Sequence, residues 1–199
     1  MVFRAIRRLP SASGNPKAVT LKRQNPQIET ALNYAEKLYS EKKYIAAEKA
    51  YLEVIKLDHK NISAYTSLGK IYLNMKNFAD AIECCQIAAQ LAPGAPAFAN
   101  LGSAYFENKN YIKSIAAYEK SIMFEPSSKR YVGLGKAYTK LSNWPKAISA
   151  LEKAITLEDS RQNQQLLLSA YRQTGNLDKA RSLQQTLSQN RTHSEVGKL

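Results

Sequence analysis

The chain has 199 residues, of which 44% are hydrophobic and 23% charged, the balance of an ordinary globular domain. It contains no apolar run of about 18 residues or more and no continuous apolar segment near its start, so neither a membrane span nor a secretory signal is indicated. The formal net charge of +13 is concentrated at both ends, because residues 28–127 are neutral. This distribution argues against a uniformly basic nucleic-acid binder and favours localised electrostatic roles.

Residues 1–27 form a basic arm with six bases, no acid and three prolines, and its second half is expected to be a flexible linker. A short helix at its start would place Phe3, Ile6 and Leu9 on one face and the arginines on others. The arm is interpreted as an unstructured basic tail or a truncation remnant. A surface-seeking helix and a mitochondrial presequence, which it loosely resembles, are the alternatives. We expect a cytoplasmic location, with mitochondrial import through residues 1–27 as the alternative.

Beyond the arm, a unit of about 33 residues recurs five times. The copies align on one anchor position, spaced by 34, 33, 33 and 33 residues: Leu38, Tyr72, Tyr105, Tyr138 and Tyr171. In the third copy, the apolar residues from Phe98 to Tyr105 share one helical face, and those from Tyr111 to Ile122 share another. Each copy is therefore predicted to be a pair of amphipathic helices joined by a short turn.

Small residues recur where the two helices of a pair would cross. Glycine inside a helix costs about 1 kcal/mol relative to alanine, so Gly69, Gly102 and Gly135 at one register indicate close packing. An asparagine stands before each later second helix and is predicted to be its N-cap: Asn77, Asn110, Asn143 and Asn176. Pro93 and Pro126 follow second helices, and Pro96 suits the first turn of the next helix.

These residues carry a resemblance to the tetratricopeptide repeat family, whose unit of about 34 residues has the same order of Leu-Gly, tyrosine, alanine, aromatic and proline positions. The match covers 28–189, and it departs from the pattern at Leu38 and His59 in the first copy and at Leu168 in the fifth. The resemblance implies an all-α fold, a right-handed superhelical solenoid of five antiparallel helix-turn-helix repeats. The expected divisions are 1–27 (arm), 28–61, 62–94, 95–127, 128–160, 161–189 (C-terminal cap) and 190–199 (disordered tail). Polar residues, Gln162 to Gln165 with Gln184 and Gln185, are expected to finish the cap.

The same resemblance implies a non-enzymatic interaction scaffold or adaptor that binds a peptide or helix of a partner protein in a concave groove lined by the first helices. The predicted groove is apolar in its N-terminal half and basic in its C-terminal half, which suits a partner segment with an acidic group or a C-terminal carboxylate. The candidate groove residues are Tyr39, Lys70, Leu73, Asn74, Asn100, Phe106, Lys129, Lys136, Lys140 and Arg172. The alternative is that these residues are merely the solvated faces of helices.

Two alternative functions fit part of the sequence pattern. Some family members hold the acidic C-terminal tail of heat-shock chaperones with five side chains, of which Asn100 and Lys129 match here, whereas Thr66, Lys70 and Gly133 do not. A nucleic-acid-associated protein would use the basic ends on phosphates and Tyr39 or Phe106 on bases, but the neutral middle would interrupt that track.

Catalytic and cofactor chemistry is not indicated. The two histidines, His59 and His193, fall in a predicted turn and in the tail, and no P-loop or metal-ligand spacing occurs. Gly133 is predicted to be a packing glycine within a helix. Of the adjacent Cys84 and Cys85, one is expected to pack in the core, with a vicinal redox or metal-binding pair as the alternative. We therefore expect no enzyme activity, no cofactor and no metal.

Overall fold

Ten α-helices in five antiparallel pairs make up the part of the chain that the structure describes. The computed structural model describes residues 26–196, with side chains up to residue 189. In chain order the helices are α1 (Pro26–Ser40), α2 (Tyr44–Leu57), α3 (Ile62–Asn74), α4 (Phe78–Leu91), α5 (Ala95–Glu107), α6 (Tyr111–Phe124), α7 (Ser128–Lys140), α8 (Trp144–Leu157), α9 (Arg161–Gln173) and α10 (Leu177–Val196).

The helices stack side by side along the chain. Each helix contacts the next one, and the first helices of neighbouring pairs also touch, α3 with α5 and α5 with α7. The predicted all-α repeat solenoid is therefore confirmed. The first helices α3, α5, α7 and α9 begin at 62, 95, 128 and 161, the residues at which the predicted repeats begin.

The two ends of the predicted repeat domain lie near the ends of the described region. Of the predicted arm, only Pro26 and Gln27 are described, and they open α1. The expected properties of residues 1–25 lie outside the described residues. The predicted tail, 190–199, begins within α10, which continues to Val196, and residues 197–199 lie outside the described part.

The turn between the two helices of a pair has the same backbone form in every repeat. One residue in each turn has a left-handed φ between 55° and 70°: Lys42, Lys76, Lys109, Ser142 and Gly175. The amide of the following residue donates to the anchor carbonyl, as from Asn110 to Tyr105 at 2.9 Å and from Asn143 to Tyr138 at 3.0 Å. This hydrogen bond, from an amide five residues after the anchor, ends the first helix. The second helix begins directly after it, so the two helices run antiparallel.

The repeated glycines lie where the paired helices cross, as predicted. A Cβ atom on Gly135 would lie 2.8 Å from Cγ of Leu151 in α8, and one on Gly69 would lie 2.8 Å from Sγ of Cys85 in α4. On Gly102 it would meet the Tyr118 ring at 3.0 Å. The distances at Gly135 and Gly69 are shorter than Cβ atoms show in proteins, and the one at Gly102 would force the Tyr118 ring to move by a few tenths of an ångström. Close crossing of the paired helices therefore favours a residue without a side chain at this position.

The N-cap prediction is confirmed at two positions and wrong at a third. The Oδ1 atoms of Asn110 and Asn143 accept from the amides of Lys113 and Lys146 at 3.2 and 3.4 Å. Asn77 makes no cap hydrogen bond; its Nδ2 donates instead to Oδ2 of Asp80 at 2.6 Å. The reason is the residue at the third helical position, because a carboxylate there attracts the amide N–H₂ group and turns the side-chain oxygen away from the backbone.

Both cysteines are buried, whereas we expected only one to be so. Cys84 is 0% and Cys85 2% exposed, and burial raises the pKa of the Cys85 thiol to about 12. The cause is the position of α4, which packs against α3 on one side and α5 on another, so that two diverging side chains both enter the core. Such thiols remain protonated and unreactive at neutral pH.

Hydrogen bonds from tyrosine hydroxyls connect adjacent repeats. The Tyr138 hydroxyl donates to Glu119 at 2.8 Å, and the Tyr171 hydroxyl to Glu152 at 2.6 Å. Burial and then the Glu119 carboxylate raise the pKa of Tyr138 to about 12. In both cases the acceptor lies on the second helix of the preceding repeat, so the bond fixes the stacking register.

The polar residues of the fifth repeat divide into two groups. Gln162, Gln165, Gln184 and Gln185 are exposed, as a solvent-facing cap requires. Asn163 and Gln164 are buried, and their side-chain amides are satisfied by hydrogen bonds to the preceding repeat and to the loop before α9. The Nδ2 of Asn163 donates to Ser128 Oγ at 2.8 Å and to the Glu158 carbonyl at 2.9 Å.

Candidate functional site

Two adjoining clefts open on the side of the array formed by the first helices, here called the first-helix face. The polar cleft has a volume of about 390 Å³ and lies between α5, α7 and the start of α9. The apolar cleft has a volume of about 260 Å³ and lies between α7, α8 and α9. Phe106 and Lys136 line both clefts and therefore mark the boundary between them.

Tyr118 and Gly133 form the floor of the polar cleft. Tyr118 belongs to α6, a second helix, and reaches between α5 and α7, where its hydroxyl lies 2.9 Å from the Ser103 hydroxyl. A Cβ atom on Gly133 would lie 2.4 Å from Cζ of this ring, so the ring can occupy the gap only because residue 133 is glycine. Gly133 is thus a packing glycine, as predicted, and it also brings a phenol hydroxyl to the cleft.

The far end of the polar cleft is held by Asn163. Its two hydrogen bonds, to Ser128 on α7 and to the loop before α9, tie the fourth and fifth repeats together beside the opening. The wall at this end is therefore preorganised rather than formed by free side chains.

Side chains of α8 and α9 form the wall of the apolar cleft. Trp144 and Leu151 enter from α8, and Leu166 and Ala170 from α9. Phe106 closes the side nearest α5, where its ring packs edge-on against Tyr111 at a centroid distance of 5.5 Å. The cleft therefore offers aromatic and aliphatic surface at its base.

Two residues that line the apolar cleft, Trp144 and Leu166, were not among the predicted groove residues. Trp144 occupies the same repeat position as Tyr111, on the amphipathic face of a second helix, so the repeat pattern does not point to the groove. Leu166 was overlooked, although the 33-residue register aligns it with Asn100 and Gly133. An apolar residue at that register, present only in the fifth repeat, was the available signal.

A row of lysines lies along α7 beside both clefts. Lys129 and Lys136 line the polar cleft, and Lys136 and Lys140 line the apolar one. All three are exposed, and none forms a salt bridge with another residue of the described region. Two carboxylates, of Glu107 and Glu158, also line the polar cleft and moderate its positive charge.

The remaining predicted groove residues lie away from the clefts. Tyr39 packs against Tyr44 at 6.0 Å, and Leu73 is half-buried against the core. The Arg172 guanidinium donates to Gln184 Oε1 at 2.8 Å, towards α10. The other three line neither cleft: Lys70 and Asn74, which are exposed on α3, and Asn100, which is half-buried on α5.

The two clefts present cations, hydroxyl and amide groups and an apolar wall. Within residues 26–189 no three His, Cys, Asp or Glu side chains are grouped as metal ligands. No helix in the described part of the chain is long and apolar enough to cross a membrane.

Stacked helix pairs with a cleft-bearing face on one side define a helical repeat protein of the solenoid class. Tetratricopeptide repeat profiles match three consecutive segments, residues 62–94, 95–128 and 131–165. The chain belongs to the tetratricopeptide repeat family, as its sequence pattern had suggested. No curated protein sequence matches it.

Several solved structures share the fold over most of the chain. A structure of MamA protein is 26% identical with a TM-score of 0.79, covering 86% of this chain and 96% of its own. MamA from Desulfovibrio magneticus RS-1 is 17% identical with a TM-score of 0.78, covering 83% and 95%. YrrB, described as a TPR protein with an unusual peptide-binding site, is 16% identical with a TM-score of 0.65, covering 82% and 90%.

Proposed function

We propose that this protein is a non-enzymatic scaffold that binds a peptide or helical segment of a partner protein on its first-helix face. The observation that carries the proposal is the pair of adjoining clefts, where exposed lysines that form no salt bridge within the described residues stand beside an apolar wall. Family membership supports an interaction scaffold. The peptide-binding site attributed to YrrB supports a peptide as the ligand.

The proposed ligand carries apolar and acidic groups. Phe106 supplies apolar contact, and Lys129, Lys136 and Lys140 supply the cations that attract carboxylates and raise association rates. A longer ligand would extend from the clefts over the other predicted groove residues on α1, α3, α5 and α9. These residues are Tyr39, Lys70, Leu73, Asn74, Asn100 and Arg172.

A protein ligand suits this surface better than a nucleic acid. Glu107 and Glu158 stand within the polar cleft, where they would repel a phosphate backbone. A peptide, in contrast, carries backbone amides and its own cations, which can satisfy these carboxylates. The lysines then serve its acidic side chains or terminal carboxylate.

The test is a selection of random twelve-residue peptides against the purified chain, followed by affinity measurement of the enriched peptides. We expect the double variant Lys136→Glu, Lys140→Glu to bind them at least tenfold more weakly, because both lysines line the proposed site. The matched control, Lys49→Glu with Lys60→Glu, makes the same charge change on exposed residues outside both clefts.

Circular dichroism must give the same helicity for all three proteins. Failure to enrich any peptide, or equal affinity of the Lys136/Lys140 variant and the wild type, would contradict the proposed function.

A further inference from the structure

We infer that the apolar cleft receives one bulky apolar side chain of the partner, and that acidic residues adjacent to it in the partner's sequence pair with Lys136 and Lys140. The inference rests on the proposed function, since it names the ligand class of the same groove. It assigns separate roles to the two clefts: the apolar cleft anchors the ligand, and the polar cleft holds the chain that follows.

The size of the apolar cleft sets how much it can accept. A cavity of about 150 Å³ lined by aliphatic and aromatic side chains is sufficient to bind benzene. The apolar cleft measures about 260 Å³ and has Trp144, Leu151 and Leu166 in its wall. It therefore has room for one leucine, isoleucine or phenylalanine side chain, with its backbone remaining at the opening.

The charges at the opening determine which residues accompany that side chain. Lys136 and Lys140 are four residues apart on α7, so they lie on one face about one turn apart and repel each other. Carboxylates of a bound segment would relieve that repulsion and form charge-assisted hydrogen bonds with both amino groups. A basic or neutral segment would leave the repulsion in place.

The same charges exclude the protein's own arm as the occupant. Residues 1–27 contain apolar residues, but they carry six bases and no acid, so the lysine row repels them. The ligand is therefore an acidic segment of another protein.

Trp144 makes the inference directly measurable. It is the only tryptophan in the chain, and it lines the apolar cleft. Its fluorescence therefore responds to entry of a side chain into this cleft, whereas contact elsewhere on the groove leaves its surroundings unchanged.

The probe is a peptide enriched in the selection above. It is compared with two variants of the same peptide, called its twins: one has alanine in place of the bulky apolar residue, and the other has Asn or Gln in place of each Asp or Glu. We expect the parent peptide to shift the Trp144 emission and each twin to bind at least tenfold more weakly. Ser169→Phe, at an exposed position that lines the apolar cleft, should fill the cleft and abolish binding. Ser149→Phe, at an exposed position of α8 outside both clefts, is the matched control and should bind as the wild type does.

The two proposals fail differently. Peptides that lose affinity for the Lys136/Lys140 variant but bind Ser169→Phe normally, and leave the Trp144 emission unchanged, would overturn this inference while the proposed function survives. Enriched peptides that lack an apolar residue beside acids would overturn it as well. If no peptide depends on Lys136 and Lys140, both proposals are wrong.

Discussion

At the scale of single residues, close packing of each helix pair depends on the absence of a side chain at the helix crossing. Replacing Gly135 by alanine places a carbon 2.8 Å from Leu151 Cγ and 3.4 Å from the Ala147 carbonyl oxygen. Overpacking of this kind costs about 1 to 3 kcal/mol, against about 1 kcal/mol gained in helix propensity. We therefore expect Gly135→Ala to lower the free energy of unfolding by roughly 1 kcal/mol in urea denaturation.

The matched control is Gly94→Ala, at a site where the added carbon would meet nothing closer than 3.9 Å. Gly94 is the N-cap residue of α5, where alanine is less favourable than glycine, but the lower entropy of the unfolded chain offsets part of that loss. The free energy of unfolding should therefore fall by less than it does in Gly135→Ala. A Gly135→Ala protein as stable as the wild type would show that the crossing has room to spare.

The Tyr138 hydroxyl gives a prediction that depends on pH. Its pKa of about 12 in the folded state lies above the ordinary value of 10.0, so its contribution to stability is complete below pH 10 and falls as the pH rises towards 12. Tyr138→Phe removes a hydrogen bond to a carboxylate and should lower stability by about 1 to 2 kcal/mol at pH 7. The stability difference between the two proteins should shrink above pH 10.

Tyr34→Phe provides the comparison, since Tyr34 is 60% exposed. Denaturation curves of this variant should follow those of the wild type at every pH. If the free energy of unfolding of Tyr138→Phe stays below that of the wild type by a constant amount from pH 7 to pH 12, the hydrogen bond to Glu119 does not have this role.

At the scale of the helix pair, the left-handed turn residue should limit stability. An L-residue in this conformation costs about 1 to 2 kcal/mol, a strain that glycine does not have. Glycine also gives the unfolded chain more conformational freedom, which cancels part of the stability gained by removing the strain. Lys109→Gly should therefore raise the free energy of unfolding by up to about 1 kcal/mol, and Gly175→Ala should lower it by about 1 kcal/mol. Thermal denaturation measures both changes.

Ala116→Gly supplies the contrasting control, because Ala116 is an exposed residue within α6. Glycine at a helical position should destabilise by about 1 kcal/mol. Stabilisation at Ala116, or destabilisation at Lys109, would mean that the turn conformation is not the controlling factor.

At the scale of the whole molecule, the repeated features were the predictable ones. The 33-residue period fixed the helix pairs, and the glycines at Gly69, Gly102 and Gly135 identified the crossings, because each signal occurs several times in the same register. Features that belong to a single repeat were harder to predict. The side chain of Asn77 hydrogen-bonds to Asp80, and that of Asn163 to Ser128 in the preceding repeat. Each contact depends on a neighbouring residue that the other repeats lack.

The candidate site was predictable in part for the same reason. The lysines of α7 could be placed on the first-helix face from the repeat register alone. The apolar cleft could not, since it forms where Trp144 from one helix and Leu166 from the next repeat meet Phe106 from the repeat before. Such a meeting depends on the distances between three repeats, which periodicity does not encode.

The most direct test of the central claim is the set of amide chemical-shift changes in the isotopically labelled chain when an enriched peptide is added. We expect the changes to concentrate in α5, α7 and α9, with the largest around Phe106, Lys136 and Lys140. Changes confined to α2, α4 and α10, none of which lines either cleft, would contradict it.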